Sequence, residues 1–263
     1  MTTRPTLCPF DDSDNACYSA ALYSLFCAAP GWCAGLHASV PTERLTWALA
    51  GSFGPANLLR AEMLMALDAL VDAPSAQRAQ ELDLAITELL QAIGNTEFRA
   101  GEQADPSELL GVLIDQIAKL SGAEDPTHFA FDSLLISPEF GYRVNTSGAG
   151  PNTRSVFDQV SFASLLRATC QNAELWLTPG APQLTPVFIG HGKAVITVTV
   201  DSGAVQAGQF GQAPNHYDVT VFLSNNRIYR LDHGRVFPIT QAQLTGRAAV
   251  MSILVDEPRL PMQ

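Results

Sequence analysis

The sequence predicts an α+β protein, with a helical amino-terminal half and an antiparallel β carboxy-terminal half. Up to about residue 130, Ala and Leu recur at helical spacing. Beyond that point Val, Ile, Thr and Phe alternate with polar residues and turn clusters. Because this change occurs once, we expect a single domain over residues 1–263, with a helical lobe at 1–127 and a β lobe at 128–263.

Five helices are predicted in the first half from apolar residues three or four positions apart. Their expected ranges are 16–29, 42–51, 55–72, 76–93 and 106–121. The last has the clearest start, because Asp105 can cap it, Pro106 suits its first turn, and Glu108 stands three residues after the cap, as in a capping box.

Seven strands and one short helix are predicted in the second half. The strands are expected at 128–136, 173–178, 186–190, 193–200, 216–223, 227–233 and 248–255, and the helix at 161–170. Three stretches rich in Gly, Pro and polar residues are expected to be loops, namely Asn145–Ser155, Thr178–Pro186 and Asp201–Asn215.

The strands at 216–223 and 227–233 form a predicted hairpin whose register depends on the length of its turn. A three-residue turn would place His216, Asp218 and Asp232 on one face of the sheet. Asp232 would then be diagonal to His216, close enough for a carboxylate to reach an imidazole. A two-residue turn would put the two side chains on opposite faces.

Cys17 is the candidate nucleophile because it stands where a polar run at 11–15 gives way to the first apolar helix. Asp14 or Asn15 is expected to cap that helix. A thiol in the first turn meets the positive end of the helix dipole, which favours the nucleophilic thiolate.

Composition narrows the classes of function. The 263 residues are 47% hydrophobic and carry a net charge of −11. No apolar run approaches the roughly 18 residues that cross a bilayer, and negative charge disfavours binding to a phosphate backbone. We therefore expect neither nucleic acid nor membrane as a partner. An acidic surface could attract a basic protein partner, or it could serve only to keep the chain soluble.

The cysteines indicate a reducing compartment. They are five, an odd number, and form no Cys-x-x-Cys pair, and the first residues lack an apolar signal segment. A cytoplasmic location follows as an expectation. Cys8, Cys27, Cys33 and His37 could suggest a metal site, but packing explains them better, so no metal or cofactor is expected.

Three segments, taken in chain order, resemble the sequence boxes of the ubiquitin-specific proteases, which are papain-like deubiquitinases. Asp14-Asn15-Ala16-Cys17-Tyr18 is similar to the cysteine box, and Gln103 to Asp115 is similar to the second box. His216-Tyr217, followed by Ile228 to Asp232 and Val236-Phe237-Pro238, is similar to the last. Each box alone is short, but the order and spacing of the three boxes agree with those of the family across nearly the whole chain.

The resemblance implies a papain-like cysteine protease with a helical thumb and a β palm. Cys17 would be the nucleophile, His216 the general base, and Asp232 the group that orients the imidazole. The implied reaction is hydrolysis after the carboxy-terminal Gly-Gly of ubiquitin or a ubiquitin-like modifier, by a monomer. The family's zinc-binding fingers use two Cys-x-x-Cys pairs, so a compact form without them is expected here.

The oxyanion donors are expected to differ from those of the family. Asp12 stands where the family usually has Asn, and an ionised carboxylate cannot donate a hydrogen bond. Ser13 or the backbone amides at Ala16 and Cys17 would then serve. Asn215, at a position where the family commonly has Gly, is a further possible donor.

Several alternatives use the same residues. The segments Asp14–Cys17 and 216–218 are also similar to the ovarian-tumour deubiquitinases, in which Asp218 would orient His216. Two further alternatives are a catalytically silent adaptor that binds ubiquitin and a papain-like amidase that acts on something other than ubiquitin. Asp105 and Glu108 are candidates for substrate contact, although helix capping explains both. A compact acidic domain would suit a pathogen effector or viral protein acting in a host cytoplasm.

Overall fold

A computed structural model describes residues 7–10, 16–95, 98, 104–122, 134–136, 193–201, 216–223, 227–244, 247–256 and 258. The predicted strands at 173–178 and 186–190, the predicted helix at 161–170, and the loops predicted within 145–155 and 178–186 lie outside these residues, as do 202–215 of the third loop.

The described part of the first half is helical. It contains α1 Cys17–Ala28, α2 Pro30–Ala38, α3 Thr42–Leu49, α4 Pro55–Asp72, α5 Ala76–Ala92 and α6 Pro106–Ser121. The five predicted helices are all present, with ends within two residues of those expected. In the described ranges no single helix is long and apolar enough to cross a bilayer, and the pair α1–α2, which reaches that length and apolarity together, is bent by 89°.

Helix α2 was not predicted, because its start, Pro30-Gly31, reads as a turn. Pro30 instead occupies the first helical turn, where its missing N–H costs nothing and its fixed φ suits a helix. Trp32 stacks on Phe26 of α1 with ring centroids 5.8 Å apart, and Cys33 and Leu36 are buried. Tertiary packing therefore holds a helix whose local sequence signals a turn.

Helix α1 is the central element of the fold. All of its residues except Tyr18 are buried, as expected of a helix that is apolar on every side. It contacts α2, α4, α5 and α6 as well as two strands of the sheet. Its first residue is consequently fixed between the helical part and the sheet.

The described strands form one antiparallel sheet in the order β1-β6-β2-β3-β4-β5. Their ranges are β1 Leu134–Ile136, β2 Lys193–Asp201, β3 Tyr217–Leu223, β4 Ile228–Asp232, β5 Arg235–Ile239 and β6 Arg247–Asp256. Strand β5, at one edge of the sheet, was not predicted, and it is followed by a 3-10 helix at Gln241–Leu244. The helices and the antiparallel sheet together confirm the α+β class.

The hairpin of β3 and β4 has the register that a three-residue turn requires. Val219 pairs with Leu231 and Phe222 with Ile228, and the Leu223 N–H donates to the Arg227 carbonyl at 2.9 Å. Continued by one pair, this register sets Asp218 opposite Asp232. His216 and Asp232 therefore lie on the same face, as the odd-length turn predicts.

Candidate active site

Cys17 is the first residue of α1. Ala16, rather than the predicted Asp14 or Asn15, occupies the N-cap position and has no side chain that can cap; the two predicted caps lie outside the described residues. The Ala16 carbonyl begins the helical ladder by accepting from Ala20 N–H at 2.9 Å. The thiol thus lies at the positive end of the helix dipole.

His216 comes immediately before β3 and is held by Asp232, the last residue of β4. The His216 Nε2–H donates to Asp232 Oδ1 at 2.5 Å, and the Asp232 side chain is only 10% exposed. Because Nε2 is engaged by the carboxylate, Nδ1 is the ring nitrogen that can face a thiol.

Cys17 and His216 are in direct contact across the boundary between α1 and the sheet. Hydrogen bonds to Asp232 and then to Cys17 raise the pKa of His216 to about 10, against an opposing effect of burial. Burial raises the pKa of Asp232, but the hydrogen bond and charge of His216, with the nearby Arg230, outweigh it and leave the pKa lowered. The arrangement favours an imidazolium held between a thiol and a carboxylate.

The raised His216 pKa predicts how stability depends on pH. The ordinary value is 6.5 and the value in the fold is about 10, so the stabilisation from His216 is complete below pH 6.5 and is lost as pH rises through 10. Urea denaturation of the wild type and His216→Gln should show a gap in unfolding free energy that is largest at pH 6 and shrinks by pH 10. A gap that stays constant over this range would contradict the assignment.

Arg230 connects Asp232 to a second, buried aspartate. Its Nη2 lies 2.9 Å from Asp232 Oδ2 and 2.5 Å from Asp218 Oδ2. The Asp218 side chain is fully buried, and its other oxygen accepts from the Thr199 hydroxyl. Both Asp218 oxygens are therefore engaged by Arg230 and Thr199, and the position facing His216 is taken by Asp232.

Arg230 was not among the site residues predicted from the sequence, although the sequence pattern places it beside two of them. In the three-residue-turn register Arg230 pairs with Thr220, so it lies on the same face as the two aspartates. A cation between two acids on one sheet face indicates an ion-pair network.

Loss of Arg230 should destabilise the fold strongly, because it would leave Asp218 charged, buried and without its cation. We expect Arg230→Met to lower the unfolding free energy by about 3–5 kcal/mol in urea denaturation, and Arg230→Lys to lower it less. Arg227→Met is the matched control: Arg227 is an exposed residue of the same hairpin whose guanidinium lies over the Tyr229 ring, and its replacement should change stability by no more than about 1 kcal/mol. Equal effects at both positions would contradict the network.

Asp105 has the capping role that the sequence suggested. Its Oδ1 accepts from the Glu108 N–H at 3.3 Å, and its Oδ2 accepts from the Tyr217 hydroxyl at 3.4 Å. The residue is 2% exposed, so it presents almost no surface to a substrate, whereas Glu108 is half-buried. Because Tyr217 follows His216, these bonds connect the start of α6 to the strand that carries the imidazole.

A cleft opens beside the thiol. It is lined by Phe10, Cys17, Tyr217, Asp232 and His233. Cys17 is 4% exposed, so among the described residues this cleft is where its sulfur comes nearest to the surface. Of the expected oxyanion donors, the described residues include Ala16 and Cys17.

Asp12, Ser13 and Asn215 lie outside the described residues and remain predictions. The N–H groups in the first turn of any α-helix have no acceptor within the helix. The two expected donors that the structure describes, the backbone amides of Ala16 and Cys17, lie at the start of α1 beside the sulfur.

Among the described residues, one group of three side chains is close enough to share a metal ion. His216, Asp232 and His233 each have a ligand atom within 4.8 Å of the others. The two imidazole planes are only 15° apart and stacked. Because the lone pair of an imidazole nitrogen lies in the ring plane, these rings do not converge on one ion. Cys8, Cys27, Cys33 and His37 form no such group.

Comparisons with known proteins find similarity among solved structures. No family model matches the chain, and no curated protein matches it. Among solved structures, the chain is similar to a chain of the SAGA Ubp8/Sgf11/Sus1/Sgf73 DUB module, with a TM-score of 0.46 and 13% identity, over 98% of this chain and 69% of that one.

Proposed function

We propose that this chain is a papain-like cysteine protease that hydrolyses the peptide or isopeptide bond after the carboxy-terminal Gly-Gly of ubiquitin or a ubiquitin-like modifier. The observation that carries the proposal is the placement of His216 between Cys17 and Asp232. A thiol, an imidazole and an orienting carboxylate in this order are the components of a thiol hydrolase. The ubiquitin class of substrate rests on the three sequence boxes.

In the proposed mechanism the Cys17 thiolate attacks the carbonyl carbon of the terminal glycine. The developing oxyanion accepts hydrogen bonds from amides at the start of α1. The His216 imidazolium then gives a proton to the leaving lysine amine, which departs and leaves a thioester. His216, now neutral, takes a proton from water as the water oxygen attacks the thioester. The carbon–sulfur bond then breaks, which releases the modifier and restores the Cys17 thiolate beside the His216 imidazolium.

Asp232 keeps the His216 ring in one orientation and one protonation pattern throughout these steps. Its Oδ1 fixes Nε2–H, so that the other nitrogen exchanges the proton with substrate and water. Arg230 holds the second Asp232 oxygen. The carboxylate is thereby oriented from both sides.

A panel of probes tests the class of substrate. Each probe is ubiquitin or a ubiquitin-like protein that carries an electrophile at its carboxy terminus. We expect at least one to label Cys17, identified by peptide mass spectrometry. Binding without labelling would support a silent adaptor, and labelling by small thiol reagents alone would support an amidase acting on something else. Either result would overturn the proposed activity.

We also propose that residues 1–263 act as one catalytic unit, as a monomer, in the cytoplasm. Without zinc-binding fingers, its grip on a modifier would depend on the cleft and on the surfaces beside it.

A further inference from the structure

The turn between β4 and β5 contains a histidine in an unusual backbone conformation. Asp232 pairs with Arg235, which leaves His233 and Gly234 as a two-residue turn. Their φ values are +46° and +68°, both positive, as a type I′ turn requires. Among the described residues His233 is the only non-glycine residue with positive φ.

His233 is not the residue that this turn favours. Asn, Asp and Gly are the preferred residues at the first position of a type I′ turn, and although His adopts positive φ more often than most side chains, the conformation still carries a cost for a residue other than glycine. The turn is also fixed in place, since Gly234 N–H donates to the Phe10 carbonyl at 3.1 Å. Strain held at one residue beside a reactive site points to a task for its side chain.

The His233 ring lies directly on the ring of His216. The two centroids are 4.8 Å apart with an angle of 15° between the planes. His233 Nε2 is 3.8 Å from Asp232 Oδ1, the oxygen that accepts from His216. The His233 side chain is 69% exposed, so burial does not account for its position.

We propose that His233 is a positioning residue, which stacks on His216 and keeps the imidazole in the plane that joins Asp232 to Cys17. This inference rests on the proposed function. The His216 side chain is 33% exposed, and an imidazole attached by rotatable bonds can turn away from the sulfur. A flat ring against one face opposes that rotation.

His233→Asn separates this role from a role in the turn. Asn suits positive φ better than His does, so the melting temperature should stay the same or rise. Without the stacked ring, the rate at which iodoacetamide alkylates Cys17 should fall roughly tenfold, and the kcat for a cleaved modifier substrate should fall with it while KM changes little. His233→Tyr retains a ring and should recover part of the alkylation rate.

Alkylation is measured at Cys17 by peptide mass spectrometry, with Cys8 in the same sample as an internal reference. Arg235→Ala, an exposed change in the same hairpin, is the matched control and should leave the Cys17 rate unchanged. Fast alkylation of Cys17 in both the wild type and His233→Asn would overturn the positioning role of His233 but not the proposed function. A wild-type Cys17 no more reactive than Cys8 would overturn the proposed function and this inference together.

Discussion

Replacing Cys17 by Ala should lower kcat/KM for a cleaved modifier substrate by roughly 10⁴-fold or more, because the chain then lacks the atom that forms the thioester. The fold should survive, since Ala fills most of the space of a small buried thiol, but some stability should be lost at neutral pH together with the hydrogen bond between Cys17 and His216. The measurement is release of a fluorescent leaving group from the carboxy terminus of the modifier that the probe panel identifies. The same variant should fail to form an adduct with that probe.

Cys8→Ser is the matched control for the nucleophile. Cys8 is half-buried and hydrogen-bonds with Cys27, and a serine hydroxyl can keep that bond. We expect activity within a few fold of the wild type. Activity that survives Cys17→Ala, or that is lost only with Cys8→Ser, would exclude Cys17 as the nucleophile.

Replacing Asp232 by Asn should also remove most of the activity, by about 10⁴-fold if the residue acts as the third member of a catalytic triad. The amide cannot stabilise an imidazolium as a carboxylate does, and it can turn its NH₂ group toward His216. The fold should survive, because the Asn side chain keeps the size of Asp. Steady-state kinetics and a melting curve on the same preparation separate the two effects.

Asp218→Asn distinguishes between the two deubiquitinase families. Asp218 is fully buried and paired with Arg230, so its neutralisation should lower the unfolding free energy by about 1–3 kcal/mol. At a temperature where the variant is folded, activity should remain near that of the wild type. Loss of activity in folded Asp218→Asn, with Asp232→Asn still active, would reverse the assignment of the acid in favour of the ovarian-tumour type.

The local sequence was enough to predict most of the described helices and strands, where pattern and packing agree. α4 runs from Pro55 to Asp72 as its apolar spacing predicts. α6 begins after Asp105, whose cap hydrogen bond is present. The alternation of apolar and polar residues in β3 and β4, together with a turn of three residues, also predicted that His216 and Asp232 lie on the same face of the sheet.

The sequence did not reveal features that depend on tertiary contacts. α2 begins with Pro30-Gly31, and its stability comes from Trp32 packing on α1. β5 follows a turn that starts with His233 where Asn would have been the stronger signal. Arg230 and His233 gain their roles only when β3, β4 and β5 lie side by side, which composition and periodicity do not show.

An NMR titration of the His216 ring tests the central claim most directly. In the wild type we expect the imidazolium to persist at pH 8 and to titrate near pH 10, because Asp232 and Cys17 both favour the charged form. In Asp232→Asn and in Cys17→Ala the midpoint should move down toward the ordinary value of 6.5. A wild-type midpoint near 6.5 that neither substitution moves would contradict a His216 held between the thiol and the carboxylate.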